Sequence, residues 1–312
     1  MTSAQASGLA NLICPVCAEP RVSQFRRGLY RCVTCTAVLS PAIWKDGADV
    51  RLERQWFDDG AYDPEGSYWT RLFEEWNARR TWRRLEQVGT TSGRLLEVGV
   101  GSGSLLAFMA DRGFEVQGCD MSRDVCVRVE STRGFPMHCG PLTDLSTSAS
   151  FDAVVMNHVV EHVSDPVSLL AQAERLLTPH GVLHIAVPNV GSWEANLSGW
   201  TSYLPYHLVY FNRPSLERAV GRAGLRSLRT FTYEPFSGWF LALLRTLTQR
   251  GRATDEPVTA GPSRKKSRLL EYPYRLAMLT AGGITWPLRQ IQDVMEKGEE
   301  LILLARSQRA NN

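Results

Sequence analysis

The chain has 312 residues, of which 44% are hydrophobic and 21% are charged. This ordinary globular composition excludes a fibrous repeat and a chain that is disordered throughout. The formal net charge of +3 is too small to indicate a nucleic-acid-binding protein by itself. No apolar run reaches the ~20 residues of a membrane-spanning helix, and residues 1–13 lack the basic start of a secretory signal, so we expect a cytoplasmic protein.

Four of the seven cysteines form two C-x-x-C pairs near the start of the chain. The pairs are Cys14 with Cys17 and Cys32 with Cys35, and 14 residues separate them. In a reducing compartment this spacing is typical of a tetrahedral site with four thiolate ligands, which suits zinc. Four protein ligands leave no open position on the metal, so we predict a structural zinc ribbon over residues 1–44. Two redox-active C-x-x-C motifs are the alternative interpretation.

Residues 45–90 are rich in aromatic side chains, and apolar residues recur at helical spacing from Tyr68 onward. We therefore predict an aromatic-rich helical linker or cap. Most of its aromatic side chains are expected to pack the ribbon against the next domain. Tyr62, Tyr68 and Trp69 are candidates to line an acceptor pocket.

Over residues 91–233, short apolar strands alternate with helices, which predicts a parallel sheet covered on both faces. Residues 234–297 interrupt this pattern with two apolar helical stretches and, at 250–268, a basic Gly-, Pro- and Ser-rich segment that we predict to be a mobile loop. The helices are expected to cover the sheet edge and build the acceptor pocket. A weak membrane-surface contact through residues 236–291 is the alternative. Residues 298–312 are predicted to be the last core strand and a tail.

The first strand of this predicted sheet is followed by one acidic residue and three alternating glycines: Glu97, Gly99, Gly101 and Gly103. Glycine lets the backbone approach a ligand closely. The run is not the dinucleotide-binding G-x-G-x-x-G, because the third glycine would fall on Ser104 or Leu106. Asp120 closes the next predicted strand, 23 residues after Glu97, where a carboxylate can accept hydrogen bonds from both hydroxyls of a ribose.

This run resembles motif I of class I S-adenosylmethionine-dependent methyltransferases. The resemblance spans about residues 90–232 and the last strand, and it implies an α/β fold with a Rossmann-like seven-stranded sheet whose last strand is antiparallel. It also implies that Asp120 binds the cofactor ribose and that Glu97 holds the glycine loop or the cofactor ammonium. Met121 would pack on the adenine, and Asp144 would accept a hydrogen bond from its amino group. A solvated loop carboxylate is the alternative for Asp144.

The segment from Phe151 to Pro166 resembles the region after the fourth strand in small-molecule methyltransferases, including ubiquinone-type O-methyltransferases. Asn157, at the end of that strand, is a further candidate for cofactor binding. His158 stands where those relatives commonly have Glu, which argues against a ubiquinone assignment and against an acidic metal site. The segment lacks the Asn-Pro-Pro-aromatic run that is usual in enzymes that methylate exocyclic amines of bases.

Methyl transfer to a hydroxyl needs alignment and a base, but no general acid, because the leaving thioether is neutral. His158 follows a strand end, where ligands bind in open α/β sheets. His207 lies in a P-x-H-x-x-x-F stretch that resembles one wall of the acceptor cleft in the same relatives. We predict His158 or His207 as the base, with Tyr203 and Tyr206 as positioning groups. His162 is expected to make a structural hydrogen bond.

Together these patterns predict an S-adenosylmethionine-dependent methyltransferase with a structural zinc ion. Its acceptor is predicted to be a small molecule (a sugar, a lipid-linked compound or a secondary metabolite), methylated at oxygen. The zinc knuckle also resembles that of ribosomal RNA guanine methyltransferases, so a zinc-containing rRNA or tRNA methyltransferase is the first alternative. That family tends to have His where this chain has Cys35. A non-catalytic zinc module is the second alternative, and the acceptor, the methylated atom and the oligomeric state stay open.

Overall fold

The computed structural model describes residues 12–45, 68–145, 150–204, 206–235, 238–248 and 280–311. The predicted basic loop at 250–268 and the pocket candidate Tyr62 fall outside these ranges. Of Tyr68 and Trp69, the structure describes the backbone alone.

The strands, in chain order, are β1 (Val22–Gln24), β2 (Tyr30–Cys32), β3 (Val38–Leu39), β4 (Gly93–Val98), β5 (Phe114–Asp120), β6 (Met137–Cys139), β7 (Phe151–Asn157), β8 (Leu177–Pro188), β9 (Val209–Tyr210), β10 (Leu225–Tyr233) and β11 (Glu300–Ser307). The main helices are α1 (Tyr68–Glu86), α2 (Ser104–Ala110), α3 (Arg123–Arg133), α4 (Pro166–Leu176), α5 (Arg213–Arg222), α6 (Gly238–Thr248) and α7 (Trp286–Val294).

A seven-stranded sheet forms the centre of the molecule, in the order β10-β11-β8-β7-β4-β5-β6. The strands from β8 to β6 in that order run parallel, whereas β11 is antiparallel to both β8 and β10. This confirms the predicted Rossmann-like sheet with an antiparallel last strand. Strands β4, β7 and β8 are almost entirely buried, because helices cover both faces of the sheet, and this is why they read as continuous apolar runs.

The helices begin beside the carboxyl ends of the parallel strands. Ser122 caps α3 by accepting a hydrogen bond from the Val125 N–H, and Asp165 caps α4 by accepting one from the Ser168 N–H. These caps satisfy backbone donors that a helix start would otherwise leave unpaired. As a result, strand ends and helix starts share one edge of the sheet, which is where ligands bind in open α/β folds.

The N-terminal strands form a second sheet in the order β1-β2-β3-β9. The last of these, β9, comes from far along the chain and pairs Val38 with Tyr210. The Ser40 N–H donates to the Leu208 carbonyl oxygen at 2.9 Å. The ribbon backbone is therefore hydrogen-bonded directly to the segment that follows Tyr206.

Helices α6 and α7 lie between β10 and β11 in the chain, as predicted for the insertion. The buried amide of Gln292 on α7 donates to Glu194 at 2.7 Å and to Glu234 at 3.0 Å, which anchors the helix. Within the ranges described above, none of the helices combines the length and apolar character needed to cross a bilayer.

Candidate active site

One cavity of about 710 Å³ runs along the carboxyl ends of the parallel strands and beneath α1. Its volume falls in the usual range for ligand pockets, ~300–1,000 Å³. We call the part lined by Glu97, Gly99, Gly101, Asp120, Met121 and Asn157 the glycine-loop end. We call the part lined by Arg80, Arg84, His158, His162, His184, Tyr206 and Glu300 the histidine end.

The glycine loop connects β4 to α2 and has a left-handed backbone at each glycine. The φ angles of Gly99, Gly101 and Gly103 are 77°, 55° and 73°. A Cβ atom at position 99 would lie 2.5 Å from Cγ2 of Val159. Position 99 therefore requires glycine twice over, once for the backbone conformation and once for the space.

Asp120 ties this loop to the start of α3. Its Oδ2 accepts a hydrogen bond from the Val100 N–H at 2.9 Å, and its Oδ1 accepts one from the Ser122 N–H at 2.9 Å. Burial raises the pKa of Asp120, although these hydrogen bonds oppose the rise. Each carboxylate oxygen keeps a second lone pair, so Asp120 can hold the loop and still accept hydrogen bonds from a ligand.

Two buried acceptors at this end have no partner among the described residues. They are Oε2 of Glu97 and Oδ1 of Asn157. Burial, followed by the neighbouring Asp120, raises the pKa of Glu97 well above its usual range. A cationic N–H donor would satisfy both acceptors and would favour the charged carboxylate.

Six of the eight predicted cofactor residues thus line the cavity, and two do not. Gly103 lies at the N-cap of α2, outside the lining. Asp144 is exposed and accepts a hydrogen bond from the Thr143 hydroxyl at 2.9 Å. Its neighbours Leu142 and Thr143 line the cavity instead, so the geometry favours the solvated-loop alternative for Asp144.

His158 lines the cavity but has both ring nitrogens engaged. Nδ1 lies 3.3 Å from Oε1 of Glu161, and Nε2 lies 3.2 Å from Oε1 of Glu300. Burial alone would lower the pKa of His158, but about half of its side chain is exposed, and the two carboxylates raise the pKa to about 10. A protonated imidazole that donates at both nitrogens has no lone pair for a further proton. The geometry therefore favours a role for this ring in positioning the two carboxylates over a role as the base.

His207 is buried behind the cavity wall rather than in it. Its Nδ1 lies 2.9 Å from the Ser202 carbonyl oxygen, and its ring packs edge-on against Tyr206 and Tyr210. Burial, followed by the neighbouring His162, lowers the pKa of His207 to about 3. The buried Tyr206 lines the cavity, whereas His207 does not.

His162, predicted to have a structural role, lines the cavity beside Tyr206 and has an available nitrogen. Its Nδ1 lies 3.1 Å from the Tyr206 carbonyl oxygen, which can only accept. We therefore assign the proton to Nδ1, which leaves a lone pair on Nε2. Glu161, His162 and His207 each place one ligating atom within 4.8 Å of the others, a set of groups that could hold a cation.

Four further residues line the cavity although no sequence motif singled them out: Arg80, Arg84, His184 and Glu300. Arg80 and Arg84 are four residues apart on α1 and so share a face of the helix, which is the single local pattern among them. Arg80 forms a short ion pair with Glu300 on β11. Burial lowers the pKa of His184 to about 3.

The four ribbon cysteines converge as predicted. All their Sγ atoms lie within 4.8 Å of one another, with Cys14 and Cys35 at 3.6 Å and Cys17 and Cys32 at 3.4 Å. Tetrahedral zinc with Zn–S bonds of about 2.3 Å separates its thiolates by about 3.8 Å, whereas a disulfide needs about 2.05 Å. The hydrogen bond between the Cys14 and Cys35 thiols lowers the pKa of Cys14 to about 5 and raises the pKa of Cys35. The cluster therefore fits a structural zinc ion.

Comparisons with known proteins agree with this geometry. Residues 68–230, more than half of the chain, match a family model described as a methyltransferase domain. A ubiquinone biosynthesis O-methyltransferase of Idiomarina loihiensis is 28% identical over 167 residues, which cover 48% of this chain and 69% of that protein. Its counterpart from Alkalilimnicola ehrlichii is 32% identical over 189 residues, which cover 54% of this chain and 71% of that protein.

Among solved structures, an S-adenosylmethionine-bound amino pentose methyltransferase from Micromonospora echinaspora is 18% identical, with a TM-score of 0.43, and the match covers 58% of this chain and 93% of that one. The extent of the family-model match and the identity to the Alkalilimnicola protein establish the family. The chain belongs to the methyltransferase domain family and is a class I S-adenosylmethionine-dependent methyltransferase.

Proposed function

We propose that this enzyme methylates a hydroxyl oxygen of a small-molecule acceptor. The observation that carries the proposal is the single cavity that joins Asp120 and the glycine loop to His162. In-line transfer needs donor and acceptor side by side in one enclosed space, since alignment supplies much of the rate enhancement. The two relatives named as O-methyltransferases support oxygen as the methylated atom.

The glycine-loop end has the groups that the cofactor requires. Glu97 and Asn157 offer unpartnered buried oxygens to the cofactor ammonium, and Asp120 offers its remaining lone pairs to the ribose hydroxyls. Met121, which is 52% exposed, provides an apolar surface for the adenine. When bound, S-adenosylmethionine supplies a methyl group on a positively charged sulfur.

His162 is the base in this proposal. The acceptor hydroxyl must lose its proton when it takes the methyl group that bound S-adenosylmethionine would supply. The hydroxyl proton passes to Nε2 of His162, while Nδ1 keeps its hydrogen bond to the Tyr206 carbonyl. The carboxylate of Glu161, within 4.8 Å, stabilises the resulting imidazolium.

His158 and the ribbon hold this end in place. The ring of His158 links Glu161 to Glu300, so in this proposal it positions carboxylates and takes no proton. We also propose that the four cysteines bind a structural zinc ion, which keeps β3 paired with β9 and thereby fixes the wall that carries Tyr206.

A labelled-methyl assay with fractionated cell extract tests the proposal. We expect label in a low-molecular-weight fraction, and we expect mass analysis of the purified product to show an O-methyl group. Label in RNA would instead support the rRNA or tRNA alternative. An N-methyl or C-methyl product would contradict the assignment to oxygen, and no transfer to any fraction would favour the non-catalytic alternative.

A further inference from the structure

Beneath α1, the histidine end contains several polar atoms that have no use in the mechanism above. Both ring nitrogens of His184 and Nε of Arg80 are buried and lack a hydrogen-bond partner among the described residues. His184 is 2% exposed, and both side chains line the cavity. A buried donor or acceptor left unpaired destabilises the fold, so such groups need a specific explanation.

Arg84 adds a second guanidinium group to the same place. Its guanidinium lies over the Phe231 ring at 3.7 Å, and the guanidinium of Arg80 lies over the Tyr233 ring at 3.5 Å. Both rings lie on β10, two residues apart and therefore on the same face of the strand. Stacking fixes the planes of the two guanidinium groups. One N–H group of Arg80 already donates to Glu300, and its Nε remains without a partner among the described residues.

Nearby carboxylates act on Arg84 without forming an ion pair with it. Glu300, which Arg80 and His158 already share, and Asp293 on α7 both act on Arg84 electrostatically. Within the described part of the chain, no carboxylate lies within ion-pair distance of Arg84. The cavity floor therefore combines the guanidinium groups of Arg80 and Arg84 with buried polar atoms of Arg80 and His184 that the described residues do not satisfy.

We propose that Arg80, Arg84 and His184 form an anion subsite that binds a carboxylate or phosphate group of the methyl acceptor. The forked N–H groups of arginine match the oxygens of both anions. His184 can donate from one ring nitrogen and accept a hydroxyl hydrogen at the other. Because the subsite and His162 line one cavity, an acceptor anchored here extends toward the proposed base. The role of the anion as part of the acceptor rests on the proposed function, whereas anion binding itself does not.

Calorimetry on the enzyme saturated with S-adenosylhomocysteine tests the subsite, at constant ionic strength. Sodium benzoate and inorganic phosphate are titrated separately into wild type, Arg84→Gln and Arg83→Gln. Arg83 is the exposed neighbour on α1, so it controls for the change in net charge. We expect one probe to bind wild type and Arg83→Gln equally and to bind Arg84→Gln at least tenfold more weakly. The probe that binds identifies the anionic group as carboxylate or phosphate.

A second variant separates binding from a structural role. His184→Leu keeps a similar volume and removes both unpaired nitrogens, so we expect weaker anion binding together with a higher Tm. A lower Tm with unchanged anion binding would show that His184 is purely structural and would overturn its place in the subsite. The proposal fails if neither probe binds wild type, or if a probe binds Arg84→Gln as tightly as wild type. If the subsite proposal fails but wild type still binds S-adenosylhomocysteine, the proposed function is not contradicted. If wild type does not bind S-adenosylhomocysteine, the proposed function is contradicted.

Discussion

The two ends of the cavity are built in different ways. The glycine-loop end comes mostly from one short stretch of chain, Glu97 to Met121, and uses backbone conformation as much as side chains. The histidine end combines side chains from α1, β8, β11 and two loops, between Arg80 and Glu300. The comparison teaches that the end we propose to bind the cofactor is encoded locally in this chain, whereas the end we propose to bind the acceptor depends on how distant elements pack.

Of the changes considered, removal of zinc should reduce methyl transfer the most, and it should do so by disrupting the histidine end. Structural zinc contributes on the order of 10 kcal/mol to folding in zinc-finger peptides. With chelator or in Cys32→Ser, we expect β3 to release β9, so that methyl transfer disappears while S-adenosylhomocysteine affinity stays within about twofold. Calorimetry measures the affinity for S-adenosylhomocysteine, and metal analysis measures the zinc content. Cys139→Ser is the control, because Cys139 is exposed. A folded, cofactor-binding but zinc-free and fully active Cys32→Ser would contradict it.

His162→Gln should lower the rate of methyl transfer by about 10²–10⁴-fold, because it removes the proposed base. The affinity for S-adenosylhomocysteine should not change, since that ligand binds at the other end. His180→Gln is the matched control, because His180 is exposed and does not line the cavity. Equal rates for the two variants in a labelled-methyl assay would place the base elsewhere.

Gly99→Ala should damage the glycine-loop end alone. The left-handed backbone and the approach of the new Cβ to Val159 together should cost about 2 kcal/mol, a roughly 30-fold loss of S-adenosylhomocysteine affinity. Gly113→Ala controls for backbone strain, because Gly113 also has a positive φ of 87° but nothing within 4 Å of a new Cβ. If calorimetry gives both variants the same affinity, the glycine loop does not contact the cofactor.

The smallest expected effect is on stability in acid. The pKa of His184 is about 3 in the folded protein and ~6.5 when unfolded, so below pH 6.5 the unfolded chain binds more protons and stability falls as the pH falls. Between pH 6 and pH 5, the free energy of unfolding measured in urea should fall by about 1 kcal/mol less for His184→Leu than for wild type. The exposed His180→Leu should keep the wild-type slope, and equal slopes for all three proteins would show that His184 is not buried as a neutral ring.

Sequence patterns were sufficient to predict those features in which residue type and spacing together determine what a residue does. The cysteine pairs predicted a four-sulfur cluster, and the apolar runs predicted the seven-stranded sheet. Glu97, the glycines and Asp120 fall within 24 residues, and all of them but Gly103 line the cavity. These features depend on local backbone geometry, which short stretches of sequence encode directly.

Patterns were insufficient where tertiary packing selects among similar residues. His158 and His162 follow β7, and His207 precedes β9. The choice among them depends on Glu300 from β11 and on a carbonyl that the segment before β9 places beside His162. Arg84 and His184 line the same cavity because α1 crosses over the sheet. In that sheet, β11 lies between β10 and β8. No spacing along the chain signals these contacts.

Titration of S-adenosylhomocysteine into wild type and Asp120→Ala tests most directly whether the glycine-loop end is the cofactor site. We predict one equivalent bound to wild type and an affinity lower by about 1–3 kcal/mol in Asp120→Ala, because the ribose hydroxyls lose their acceptor and the loop loses its tie. Arg83→Gln should match wild type. An absence of heat with wild type, or equal affinities for wild type and Asp120→Ala, would contradict the assignment.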